Sequence, residues 1–270
     1  MKVLLTNDDG IQAQGLNTLR RALLEAPGVE LSVIAPDSNR SATARSITTH
    51  SPLWVEEIEF EDGSSGFATD GTPVDCVRFA ALGLVESEPG LIVSGINHGT
   101  NLGDDITYSG TVAAAFEGVV LGIPAIAISQ QAVGGEMDFR AGRRYDFTDA
   151  AAFVARLVEE IERVPMPAGT LLNVNVPWKK PTGARACRLG KRIYHDRLEL
   201  TEEEGGRQRY WIYGKDAGFH EEEGTDFAAM SECAIAVTPL HFDLTDTAGV
   251  EALSEFDLDR LLRPAAQEVE

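Results

Sequence analysis

This 270-residue sequence predicts an α/β fold built on a mainly parallel, doubly wound sheet. Three observations point to it. Short runs rich in Val, Ile and Leu alternate with segments of helical period, which is the pattern of βαβ units. Polar residues gather just after those runs, where the strands of such a sheet end and ligands bind. The composition, 43% hydrophobic and 24% charged, is that of a globular chain long enough to bury its core without disulfides or a structural metal.

The elements follow in order. Residues 2–6 form a first strand. Residues 15–25 form a helix, with Leu16, Leu19 and Leu23 on one face, and residues 31–35 a second strand ended by Pro36. Residues 53–60 and 66–69, separated by Glu61-Asp62-Gly63-Ser64, form an antiparallel hairpin laid onto this core. Thr72 is placed to cap the next helix, with Pro73 at its first position and Asp75 three residues after the cap. Residues 91–93 are a buried strand, and residues 94–110, polar and rich in glycine, read as one long functional loop. An Ala-rich helix over 111–121, a strand over 125–128, an amphipathic helix over 147–164 and a strand over 171–176 complete a core spanning residues 1–180. The extension, residues 181–270, reads as a long hairpin with arms 184–199 and 207–213 around an acidic tip. A strand over 233–240 and a last helix carrying Val250, Leu253, Phe256 and Leu261 follow.

Charge and cysteine usage narrow the partners. Lys and Arg number 23 against 43 Asp and Glu, a formal charge of −20, which repels duplex nucleic acid and anionic membrane surfaces. Small anions then bind only where the field is locally positive, at a metal ion or a helix N-terminus. Cys76, Cys187 and Cys233 are odd in number and in no metal-binding spacing, so a reducing cytoplasmic setting is expected. No apolar run approaches the roughly 20 residues of a spanning helix, and residues 1–6 are too short for a secretion signal.

Chemistry concentrates at three strand ends: Asn7-Asp8-Asp9-Gly10, Pro36-Asp37-Ser38-Asn39-Arg40-Ser41 and Ser94-Gly95-Ile96-Asn97. Adjacent carboxylates repel unless a cation lies between them, so Asp8 and Asp9 invite a metal. Ser41 and Asn97 would complete an all-oxygen set suited to Mg²⁺, Mn²⁺ or Ca²⁺. Alone, an Asp-Asp pair is more often a solvated turn or a cap; its place after the first strand argues for the metal. A receiver-like acidic pocket uses the same placement and is the competing reading. The Asp-x-Asp pattern of haloacid-dehalogenase nucleophiles is absent. Tyr108-Ser109-Gly110-Thr111 opens a helix and is either a plain cap or, with Asn101-Leu102-Gly103, a phosphate cradle. Asp104 and Asp105 read as loop-holding acceptors, with a second metal as the alternative. Among the histidines, His98 alone is placed for proton transfer. His50, His195 and His220 fall in polar, exposed segments, His241 reads as a core residue, and Cys76 as helix core.

The motifs Leu4-Leu5-Thr6-Asn7-Asp8-Asp9-Gly10, Ala35-Pro36-Asp37-Ser38-Asn39-Arg40-Ser41, Gly71-Thr72-Pro73-Val74-Asp75-Cys76-Val77, Val93-Ser94-Gly95-Ile96-Asn97 and Asn101-Leu102-Gly103-Asp104-Asp105 together resemble the survival protein E (SurE) family of acid phosphatases and 5′-nucleotidases. Residues 108–115, 172–177, 224–229 and 238–245 extend the resemblance along almost the whole chain, in the family's order. It implies a Rossmann-like core and hydrolysis of nucleoside 5′- and 3′-monophosphates, with short polyphosphate as a further substrate. It also implies one Mg²⁺ or Mn²⁺ per subunit, a site Ca²⁺ also fits, and subunits joined through exchanged C-terminal segments. The family's metal ligands map onto Asp8, Asp9, Ser41 and Asn97, with Asp8 and Asp9 as the catalytic pair. Its phosphate contacts map onto Asn101, Ser109, Gly110 and Thr111. His98 and Thr100 stand where the family varies, which weakens a general catalytic role for His98. The hairpin and final helix independently call for a partner surface, because isolated two-stranded hairpins are marginal in water. A homodimer or homotetramer is the expected assembly.

Overall fold

The computed structural model describes residues 1–137, 143–212 and 217–262. In chain order the elements are β1 (Lys2–Thr6), α1 (Gln14–Glu25), β2 (Glu30–Pro36), β3 (Val55–Glu59), β4 (Ser65–Thr69), α2 (Pro73–Ala81), β5 (Leu91–His98), α3 (Gly110–Val120), β6 (Ala125–Gln130), α4 (Thr148–Glu159), β7 (Thr170–Val176), β8 (Ala184–Ala186), β9 (Arg192–Ile193), β10 (Glu199–Glu204), β11 (Arg207–Trp211), β12 (Gly218–Phe219), α5 (Asp226–Ser231), β13 (Ile235–His241) and α6 (Thr247–Ser254). Among the described residues, nine strands share one sheet in the order β3-β4-β2-β1-β5-β6-β7-β13-β8. Its centre, from β4 through β7, is parallel throughout. The expected Rossmann-like α/β architecture is therefore present.

Alternation along the strands sorts the core into two layers. Val3 and Leu5 face α1 and α4, where Leu16, Leu19, Leu23, Val154 and Val158 are buried. Leu4 and Ile92 face α2 and α3, with Val77, Ala80, Val112 and Ala115. The start of α2 has the form its sequence predicts: the Thr72 hydroxyl accepts from the Asp75 N–H at 3.2 Å, and the Asp75 carboxylate accepts from the Thr72 N–H at 2.9 Å. The hairpin β3–β4 does not lie on a face of the core; β4 continues the sheet in parallel beside β2.

Five expectations need correction. The strand expected over 91–93 runs on to His98, so the loop expected from residue 94 is shorter, and part of it is a 3₁₀ turn at Gly103–Thr107. Gly95 makes the extension possible, since a Cβ there would stand 2.3 Å from the Ile128 carbonyl of β6, and the ladder shifts register between Ser94 and Asn97. The helix expected over 147–164 ends at Glu159 and is followed by a 3₁₀ turn at Ile161–Arg163. The arm expected over 184–199 is broken into three pieces. β8 joins the main sheet, β9 pairs with β12, and only β10 and β11 form a hairpin; Tyr213, the expected end of the second arm, lies outside the described residues. The final helix covers Thr247–Ser254 and then becomes a 3₁₀ turn at Leu258–Leu262. His241, read as a core residue, is exposed at the end of β13, and its Nδ1 accepts from the Asp243 N–H.

Candidate functional site

The carboxyl ends of β1 and β5 open into a cavity of about 300 Å³ whose lining includes Asp8, Ser41, Asn97, His98, Asn101 and Ser109. Asn7 builds the turn that presents the acidic pair: its amide donates to the Gly10 carbonyl and its Oδ1 accepts from the Gly10 N–H. Gly10 has φ +105°, a left-handed conformation suited to glycine, and a Cβ there would lie 3.2 Å from the Ser38 backbone. The two loops can therefore close on each other. The Arg40 N–H donates to the Asp8 carbonyl at 2.7 Å and the Ile11 N–H to the Pro36 carbonyl at 2.8 Å.

Asp8 is 3% exposed. Its Oδ1 accepts the Thr111 hydroxyl, and Gly110 sits so close that a Cβ would be 2.8 Å from the Asp8 Cβ. Gly110 and Thr111 thus stand behind Asp8 rather than in the cavity wall, and the N-terminus of α3 is aimed at the acidic pair. Asp9 accepts from the His98 N–H at 3.0 Å and from the Asn39 amide at 3.2 Å; Asn39 in turn accepts the Ser41 N–H at 2.9 Å. Asn39 therefore couples Asp9 to the Ser41 loop. Burial, and the charge of Asp9 beside it, push Asp8 up to about 7; burial also raises Asp9 to about 6.

Asp8, facing a cavity that also receives a serine hydroxyl and an asparagine amide, and the adjacent Asp9 carboxylate, both with raised proton affinity, make a hard oxygen donor set. No group of three or more His, Cys, Asp or Glu side chains among the described residues is placed to hold a metal. A cation here would rely on the two carboxylates and neutral oxygens, which fits Mg²⁺, Mn²⁺ or Ca²⁺ and not Zn²⁺.

Ser109 caps α3, its Oγ accepting the Val112 N–H at 3.1 Å, while it also lines the cavity. Asn101 is fixed from behind. Its N–H donates to Asn175 Oδ1, its carbonyl accepts both the Asn173 and Asn175 amides, and its own amide donates to Ser129 Oγ, all at 2.8–2.9 Å. His98 Nε2 accepts the Gly15 N–H at 3.3 Å, its ring stacks on Tyr145 and Phe147, and its Nδ1 stands 3.9 Å from Asp9 Oδ1. Burial lowers its proton affinity, so it is held as a neutral ring. Asp104 and Asp105 hold the extension as well as the loop: Asp104 accepts the Arg192 N–H, and Asp105 accepts the Arg192 guanidinium and the Tyr194 hydroxyl.

Residue-level reading of the sequence assigned no part to Asn39, Asn173, Asn175, Arg192, Tyr194 or Asp226. The asparagines of β7 carried a signal: two polar residues at i and i+2 in an otherwise apolar strand share one face and require partners there. Arg192, Tyr194 and Asp226 carried none, because their partners in the cavity's loop lie 87 to 123 residues away.

The profile of the family described as Survival protein SurE matches residues 3–196. A protein from Rubrobacter xylanophilus named 5′-nucleotidase SurE is 51% identical over 267 residues, covering 97% of this chain and 99% of the relative. One of the same name from Chloroflexus aggregans is 44% identical, covering 95% and 99%. The crystal structure of a SurE protein from Aquifex aeolicus superposes with a TM-score of 0.79 at 38% identity, covering 94% of this chain and 99% of that one.

Proposed function

The chain belongs to the survival protein SurE family, and from that premise we propose that it is a divalent-metal-dependent phosphomonoesterase. It releases phosphate from nucleoside 5′-monophosphates, and also accepts 3′-monophosphates and short polyphosphate. The observation that carries this reading is the buried Asp8, held by Thr111 at the N-terminus of α3 and lining one cavity with Ser41, Asn97, Asn101 and Ser109, with the Asp9 carboxylate beside it.

Asp8, Asp9, Ser41 and Asn97 would hold one Mg²⁺ or Mn²⁺, which supplies neutralising charge at the phosphoryl group and a more acidic bound water. The chain's own groups do the rest. The first N–H groups of α3 have no acceptor within the helix, so this terminus favours an anion, and Ser109 and Asn101 bound the place where phosphoryl oxygens settle. Thr111 and Gly110 act one step back, fixing the rotamer of Asp8. Attack is in line with the departing alkoxide. Asp8 or Asp9 also takes the proton of the attacking water. The extension contributes assembly: Trp211 is 63% exposed and α6 buries no residue, which supports a homodimer or homotetramer formed through β10, β11 and α6. No helix among the described residues is long and apolar enough to cross a membrane. The unpaired thiols of Cys76, Cys187 and Cys233 suit a reducing cytoplasm.

The test is phosphate release from a panel of nucleoside monophosphates, with Mg²⁺ or Mn²⁺ and with chelator. Metal-dependent turnover is expected. Stable labelling by acetyl phosphate without turnover would overturn the reading in favour of a receiver-like module.

A further inference from the structure

The cavity has two chemically different halves. The inner half carries the carboxylate, hydroxyl and amide groups assigned above to metal and phosphate. The outer half is walled by two phenol rings, Tyr108 and Tyr194, which are 59% and 39% exposed. The two are anchored differently. Tyr108 directly precedes the cap Ser109, and its carbonyl accepts the Ala44 N–H. Tyr194 is fixed through its hydroxyl, which donates to Asp105 Oδ1 at 2.8 Å. Asp105 is itself locked by the buried Arg192 guanidinium, which donates to the Met137 carbonyl at 2.6 Å and lies 4.7 Å over the Phe227 ring.

A chain of buried, charge-assisted bonds thus holds the half-exposed Tyr194 ring at the cavity, and Tyr108 stands one residue from the phosphate cradle. This is preorganisation for a planar ligand surface, with the ordering cost met by the fold rather than on binding. Aromatic faces so presented recognise nucleobases by stacking, and stacking depends little on which base is bound.

We propose that Tyr108 and Tyr194 seat the nucleobase of the substrate, so that the enzyme selects nucleoside monophosphates over base-free sugar phosphates while discriminating weakly between purines and pyrimidines. The proposal rests on the phosphomonoesterase reading of the inner half and assigns the outer half as its specificity subsite.

The experiment compares kcat/KM for AMP and CMP with that for ribose 5-phosphate, which keeps the sugar and phosphate and lacks the base. In Tyr194→Ala and in Tyr108→Ala the ratio of nucleotide to ribose 5-phosphate kcat/KM is expected to fall about tenfold, chiefly through KM. In Tyr194→Phe, which keeps the ring and loses the ordering bond to Asp105, the ratio falls by less than in Tyr194→Ala, by no more than about threefold. Tyr108→Ala changes a largely exposed side chain, so it keeps the test open if loss of Tyr194 disturbs the extension. Equal losses on all three substrates in both alanine variants, or a fall in Tyr194→Phe as large as in Tyr194→Ala, would overturn the subsite. Wild-type protein inactive on every phosphomonoester would instead overturn the reading beneath it.

Discussion

Asp8 and Asp9 are two like charges that burial brings together, and the fold carries that conflict in the absence of a cation. A carboxyl whose proton affinity is higher in the folded state than in the unfolded chain favours folding when protonated. The penalty is absent below the ordinary carboxylate range, grows as pH rises, and is fully present above about 7, the value reached by Asp8. Metal-free wild type should therefore lose thermal stability between pH 5 and pH 8 more steeply than Asp8→Asn. At pH 8 in chelator the variant should melt about 3 °C or more above wild type, because one of two repelling charges is gone while the Thr111 hydroxyl keeps an acceptor. The same variant should lose at least about 100-fold in phosphate release with Mg²⁺. Thermal melts across pH and a steady-state assay check both arms. A shallower slope in wild type than in the variant would contradict the assignment. That Asp8, Ser41 and Asn97 would meet at one cavity was legible because strand ends announce themselves by a switch from apolar to polar residues. Asn39 was not, since nothing local distinguishes an amide that bridges two loops from one that faces solvent.

Between elements, one junction that fixes the cavity's loop is a buried carboxylate. Asp226, fully buried at the start of α5, accepts the Gly103 N–H and the Gly190 N–H, both at 2.8 Å, and the Phe227 N–H at 2.9 Å. The packing is tight enough that a Cβ on Gly103 would stand 2.7 Å from the Gly190 carbonyl. Asp226→Ala would leave three buried donors unsatisfied and should cost about 3 kcal/mol or more in denaturant unfolding; Asp226→Asn, which keeps the shape and one acceptor oxygen, should cost roughly half as much. Similar midpoints for the two variants would show that the carboxylate is not what joins the segments. The α2 start was readable to the residue, because a capping box is written within four positions. The extension was not readable, because β9 pairs with β12 and β8 with β13 across intervals that local patterning does not encode.

At the scale of the molecule, alternation of strand and helix patterns identified the parallel centre of the sheet, while strand order beyond β7 had no local signature. The extension also leaves apolar side chains in solvent, with Leu244 at 84% and Leu261 at 66% exposure. The proposed assembly would cover them. Light scattering at micromolar concentration should report a dimer or tetramer. Deleting residues 199–211 should shift the protein toward monomer, and a monomeric intact protein would refute the assembly.

The sheet also has an order of construction. β13 lies between β7 and β8, although β8 precedes it by some fifty residues. Until β13 arrives, β7, whose seven residues are all buried in the finished fold, stands as an open edge, and β8 has nothing to pair with. During synthesis the sheet therefore cannot close until the ribosome has released nearly the whole chain, and a nonsense codon before Ile235 yields a product with an unblunted apolar edge, a template for strand-to-strand aggregation.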